Sequence, residues 1–255
     1  NGSPVTFSQM GQVYAATAVL DYYTGLARRF AFEDWRPGMM GPVLVRREPV
    51  GVVAGIIPWN VPLFLAMLKL GPALASGSTI VLKPAPETPL DAMALAEILD
   101  EAGLPPGVVN VVPAGREVGE HLVRHPDVDK VAFTGSTAAG GRIGTICGEQ
   151  LKRVTLELGG KSAAIILEDA DLDATLPTLM PFALMNNGQA CVAQTRILAP
   201  RSRYAEVRDA LAEAVRGFKV GDPLDPATEC GPLVAERQRD RVEGYIAKGL
   251  EEGAT

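Results

Sequence analysis

Six places in this chain combine residue types that could do chemistry. Cys191 follows an apolar helical stretch and a break at Gly188. That break predicts a new helix N-terminus near the thiol, where a thiolate is favoured. The competing reading is a buried, inert thiol. Glu157, flanked by Leu156 and Leu158 in a strand-like run, is costly to ionise if buried and then suits a general base. If it points to solvent it is an ordinary strand residue. Asn60 stands between Pro58-Trp59 and Val61-Pro62. Flanking prolines fix the backbone, and a fixed amide can donate into an oxyanion hole. A plain turn Asn is the alternative.

The other three places suit a phosphate, a ribose or a metal. Gly135-Ser136-Thr137-Ala138-Ala139-Gly140 lies between a strand and a helix, where free N–H groups at a positive helix end bind phosphate. It reads equally well as a tight turn with a Ser or Thr N-cap. Lys83, in Val81-Leu82-Lys83-Pro84, ends a strand and could donate to ribose hydroxyls or a phosphate. A solvent-exposed lysine is the alternative. His121 and His125 share a helix face at i, i+4 spacing, but no third ligand stands nearby, so no metal is assigned. Cys147 and Cys230 read as structural.

Alternating elements position these residues. Residues 5–32 carry apolar positions at helical spacing and read as one long helix, with a break near 34–41. Strands are expected at 50–57, 79–82, 108–112, 130–134 and 153–158, and helices at 63–75, 90–102, 117–124 and 137–150. Such alternation predicts βαβ units and a buried parallel sheet, whose ligands bind outside the carboxyl ends of the strands. Pro58 to Asn60, Lys83, Pro113 to Gly115, Gly135 to Thr137 and Glu157 to Gly160 all fall there. A second series follows Gly159-Gly160, with strands at 163–167 and 196–199 and helices at 171–187 and 204–218. The division is therefore placed between 1–158 and 159–255.

Composition narrows the classes further. The 255 residues are 47% hydrophobic and 21% charged, with formal net charge −6. Acidic balance argues against a nucleic-acid surface. No apolar run reaches the roughly 18 residues of a spanning helix, so no membrane partner is expected. Three scattered cysteines fit a reducing compartment, expected to be the cytoplasm. The start at Asn1 and the stop at Thr255 read as cut ends, and no signal peptide is visible.

Ile57-Pro58-Trp59-Asn60, Lys83-Pro84, Phe133-Thr134-Gly135-Ser136-Thr137, Leu156-Glu157-Leu158-Gly159-Gly160-Lys161 and Gly188-Gln189-Ala190-Cys191 occur in that order. Together they resemble the aldehyde dehydrogenase superfamily, along essentially the whole chain. The resemblance implies an α/β fold: a Rossmann-like parallel-sheet nucleotide-binding domain, incomplete at its start, then the first part of a second α/β catalytic domain. It implies oxidation of a small-molecule aldehyde to an acid with NAD, or with NADP, since Pro86 stands where many NAD-preferring members carry a glutamate. Cys191 then looks like the nucleophile, Asn60 part of the oxyanion hole and Glu157 the base that hydrolyses the thioester. Ile57, Trp59, Lys83, Gly115, Thr134, Gly135, Ser136 and Leu158 look like cofactor contacts. Val61, Leu65, Leu68, Ala190 and Val192 would line an aliphatic substrate pocket, which favours an apolar aldehyde. A homodimer or homotetramer is expected. The alternative is a truncated or non-catalytic structural protein on the same scaffold.

Overall fold

The computed structural model describes residues 1–255. Residues 11–158 form one compact unit, and residues 1–10 with 159–255 form another. The first ten residues thus part from the rest of the expected 1–158 segment.

The helix expected over 5–32 is subdivided. It comprises α1 (Val5–Phe7), a π-helical stretch (Ser8–Tyr14) and α2 (Ala15–Arg29). The break expected near 34–41 is a β-hairpin of β1 (Glu33–Arg36) and β2 (Val43–Arg46), paired antiparallel. Its strands are short and charged, with no clean alternation, which hid them from the pattern.

The main sheet of the 11–158 unit is wholly parallel. Its elements are β3 (Val52–Ile56), α3 (Pro62–Ala75), β4 (Thr79–Lys83), α4 (Leu90–Glu101), β5 (Val109–Val111), α5 (Arg116–Arg124), β6 (Lys130–Thr134), α6 (Thr137–Glu149) and β7 (Arg153–Glu157). The spatial order is β5-β4-β3-β6-β7. The chain winds outward from β3 to β5, then crosses back to β6 and β7. The order therefore reverses between β3 and β6, and a crevice opens there at the carboxyl ends.

Alternation along β3 assigns its side chains to two cores. Val53 joins a cluster with Leu65, Ala66, Met67, Leu70, Ile80, Leu82 and Leu95. Ala54 and Ile56 join Val123, Val131, Phe133, Ile143, Ile146 and Cys147. Helices thus cover both faces, as a parallel sheet requires. Gly55 lets β3 lie close to β4: a Cβ there would overlap the Ile80 side chain.

The other unit contains β8 (Ala163–Ile165), α7 (Leu172–Ala183), β9 (Arg196–Leu198), α8 (Tyr204–Arg216) and α9 (Glu236–Glu251). β8 and β9 pair in parallel. Asp171 caps α7, its carboxylate accepting from the Asp173 and Ala174 N–H groups at 3.0 and 3.3 Å. Ile166, Leu172, Leu176, Met180 and Val207 form its core. The helix expected to reach 187 stops at Ala183 and gives way to a 3-10 turn, Met185–Gly188.

Candidate active site

Parallel register sets a row of residues along the carboxyl edge of the main sheet. Ile56 pairs with Lys83 on one side and Phe133 on the other, and Thr134 pairs with Glu157. The Ile57 N–H extends the ladder by donating to the Lys83 carbonyl at 3.1 Å, and the Gly135 N–H donates to that of Glu157 at 3.0 Å. Ile57 is buried, Trp59 and Asn60 half-buried. Asn60 occupies the turn between β3 and α3, and Pro62 begins that helix where a missing N–H costs nothing.

Lys83 is 5% exposed, not the surface lysine of the alternative reading. Its Nζ donates to the Pro84 carbonyl at 2.9 Å and the Ala114 carbonyl at 2.8 Å. Burial holds its pKa below the ordinary lysine value. The ammonium thereby ties the end of β4 to the loop that carries Gly115, the residue before α5.

A second buried lysine went unnoticed in the sequence. Lys69, on α3, is 8% exposed, and its Nζ donates to the Thr134 Oγ1 at 2.8 Å. Burial lowers its pKa to about 8; the Glu157 carboxylate opposes that shift and the Lys130 charge adds to it. A signal was available: Lys69 lies i+4 from Leu65 and i+3 from Ala66, on the helix's apolar stripe.

Ser136 stands just before α6, its Oγ accepting from the Ala139 N–H at 3.3 Å. Ser136, Thr137 and Ala138 are exposed, so the helix's first turn is open to an anion. Leu158 packs against α6 where Gly140 leaves room: a Cβ there would overlap the leucine. Glu157 is exposed at the end of β7. Of the two readings left open by the sequence, burial and a side chain facing solvent, the second holds, on the last strand of the sheet.

Cys191 lies in the other unit and is the exposed one of the three cysteines. No helix begins there: Ala190 to Ala193 form a turn, with the Ala193 N–H donating to the Ala190 carbonyl at 3.2 Å. The helix-end reason for a reactive thiolate therefore falls away. Cys147 is fully buried, and desolvation pushes its thiol up, as it does for the half-buried Cys230. Among the expected pocket residues, Leu65 packs into the first core, while Val61 and Ala190 are half-buried. Leu68 and Val192 are exposed. The rings of His121 and His125 meet edge to face, with centroids 5.7 Å apart.

Residues 1–255 match the aldehyde dehydrogenase family. The chain is 53% identical over 253 residues to geranial dehydrogenase of Castellaniella defragrans, covering 99% of this chain and 53% of that protein. It is 44% identical over 261 residues to phenylacetaldehyde dehydrogenase of Pseudomonas fluorescens, covering 100% of this chain and 52% of the relative. The chain thus spans about half the length of these curated relatives. A crystal structure of a Mycobacterium tuberculosis aldehyde dehydrogenase complexed with NAD+ superposes with a TM-score of 0.96 at 54% identity, over 99% of this chain and 52% of that one.

Proposed function

The chain belongs to the aldehyde dehydrogenase family, and from that premise we propose that it carries the cofactor-binding and thiol-bearing part of an enzyme that oxidises an apolar aldehyde to its acid. The observation that carries this reading is the carboxyl edge of the main sheet. Buried Lys83 at the end of β4, and buried Thr134 with the open first turn of α6 at the end of β6, flank the end of β3, beside which strand order reverses.

That donor set fits a dinucleotide. Backbone N–H groups at the α6 N-terminus and the Ser136 hydroxyl suit a pyrophosphate. Lys83 suits ribose hydroxyls, and Ile57, Trp59, Gly115, Thr134, Gly135 and Leu158 complete the cradle. When bound, NAD+ supplies the acceptor for the hydride that leaves the aldehyde carbon.

The chain's own residues do the rest. The Cys191 thiolate attacks the carbonyl carbon and forms a C–S bond, while the oxygen becomes an oxyanion. The Asn60 amide and the Cys191 N–H stabilise that oxyanion as donors. Loss of hydride leaves a thioester on Cys191. Glu157 takes a proton from water, whose oxygen attacks the thioester carbonyl. The C–S bond breaks, releasing the acid and regenerating the thiolate.

Val61, Leu68, Ala190 and Val192 favour an aliphatic or aromatic aldehyde, in keeping with the geranial and phenylacetaldehyde relatives. No helix is long and apolar enough to cross a membrane, and three free cysteines suit the cytoplasm. A homodimer or homotetramer is the expected assembly.

Two variants of the intact protein test the assignment. Cys191→Ala removes both the first burst of NADH and steady turnover. Glu157→Gln keeps the burst and slows steady turnover by about 100-fold or more. Steady turnover retained in Cys191→Ala overturns the nucleophile, and full turnover in Glu157→Gln removes that residue from the base role.

A further inference from the structure

Only three non-glycine residues in the chain have a left-handed backbone, and two of them stand side by side before Cys191. Asn186 has φ 53° and ψ 43°, Asn187 has φ 61° and ψ 30°, and Gly188 continues with φ 74°. Asn tolerates this region better than most side chains, yet consecutive left-handed residues are disfavoured and persist only where the surroundings hold them.

What holds them is a set of side-chain amides. Asn187 Nδ2 donates to the Gly2 carbonyl at 2.7 Å and the Pro232 carbonyl at 2.9 Å, while its Oδ1 accepts from the Gly231 N–H at 2.7 Å. Gln189 Oε1 accepts from the Val234 N–H at 3.0 Å, and its Nε2 donates to the Asn186 carbonyl at 3.3 Å and the Asn1 carbonyl at 3.4 Å. The Ser3 hydroxyl donates to the Asn186 Oδ1. Residues 1–3 and 231–234 thus close on the segment from two places far apart in sequence. They also touch each other so tightly that a Cβ on Gly2 would overlap the Pro232 carbonyl, and one on Gly231 the Gly2 carbonyl.

We infer that Asn187 and Gln189 are positioning residues for Cys191: their amides clamp the left-handed crank Asn186–Gly188 between residues 1–3 and 231–234, and the crank sets where the sulfur stands. This rests on Cys191 being the nucleophile. α7 has its own apolar anchors in Leu172, Leu176 and Met180, so the helix does not need the clamp. The stretch from 185 to 192 contributes no side chain to the apolar core of that unit. Polar bonds therefore fix its path. Asn187 must be an amide because one side chain has to donate to two carbonyls and accept from an N–H.

Asn187→Gly tests this in the intact protein, because glycine keeps the left-handed backbone and removes only the three side-chain bonds. The rate constant of the NADH burst is expected to fall about 10- to 100-fold, the cost of misplacing a reacting atom by about an ångström. KM for NAD+ stays near wild type, and burst amplitude stays at one per alkylatable Cys191. A merely structural role would instead cut the amplitude, by lowering the folded fraction, and leave the rate constant alone. That result overturns the inference, as does an unchanged rate constant at full amplitude. Should Asn187→Gly fail to fold, Asn187→Asp carries the same test: it keeps the shape and the Gly231 bond, and turns two donations into carboxylate–carbonyl repulsion. A burst surviving in Cys191→Ala would instead overturn the nucleophile reading on which the clamp depends.

Discussion

The two units fix their candidate functional residues by different physical means. In the 11–158 unit, backbone ladders and two apolar cores hold Lys83, Thr134 and the α6 N-terminus in place. No single side chain carries that geometry, because every strand is paired and the central ones are packed on both faces. In the unit of residues 1–10 and 159–255, the segment ending at Cys191 is held by a few amide hydrogen bonds and an unfavourable backbone. The first arrangement is robust in geometry, and damage to it should appear as lost stability. The second is fragile in geometry, and damage should appear as lost rate.

Ile80→Ala gives the largest expected effect and the sharpest way to break that contrast. Ile80 is fully buried at the start of β4. Removing its side chain should cost about 4 kcal/mol of stability, the usual range for a large-to-alanine change in a core. Urea unfolding would read the loss. Molecules that remain folded should turn over at close to the wild-type kcat, because the ladder to β3 is backbone. If the NADH burst rate constant of the folded fraction fell as far as in Asn187→Gly, the sheet would not be the robust partner.

The same contrast explains which parts were legible in the sequence. β6 was expected at 130–134 and is found there, because a run of apolar residues closed by Gly135 has one sensible reading. α3, expected over 63–75, is found at Pro62–Ala75, one residue earlier. Periodicity does not say which strand lies at a sheet's edge, so the sequence left open whether Glu157 is buried or points to solvent, and it is exposed. Gly188 was read as a break before a new helix. The break is real, but it extends over three left-handed residues into a turn, and two of the three are asparagines, which sequence does not mark as left-handed. The partners that hold them, Gly2 and Gly231, lie 185 and 44 residues away from Asn187. No local pattern contains such a bond.

A smaller effect belongs to Lys69, whose ammonium the core accommodates at a cost. Burial holds its pKa at about 8, against 10.5 for an exposed lysine. Below pH 8 both folded and unfolded chains carry the proton, and the desolvation penalty is fully present. Between 8 and 10.5 the unfolded chain binds a proton that the folded chain does not, so stability rises with pH across that window. The gain approaches about 3 kcal/mol. Lys69→Met should flatten this segment of the stability–pH curve, measured by urea midpoints at several pH values. A slope unchanged by the substitution would mean that the core does not desolvate this charge.

The smallest effect separates two roles that share one hydroxyl. Ser136 caps α6 through its bond from the Ala139 N–H, and it is also proposed to donate to a pyrophosphate. Ser136→Ala loses both and should cost about 1 kcal/mol of stability while raising KM for NAD+. Ser136→Asp keeps an oxygen that can cap and improves the match to the helix dipole, so stability should recover. Its charge repels a pyrophosphate, so KM should rise above that of the alanine variant. Stability and cofactor affinity then move in opposite directions along the pair. If KM followed stability instead, the hydroxyl would serve the helix alone, and the anion site would rest on backbone N–H groups, the same kind of positioning that characterises the rest of that sheet.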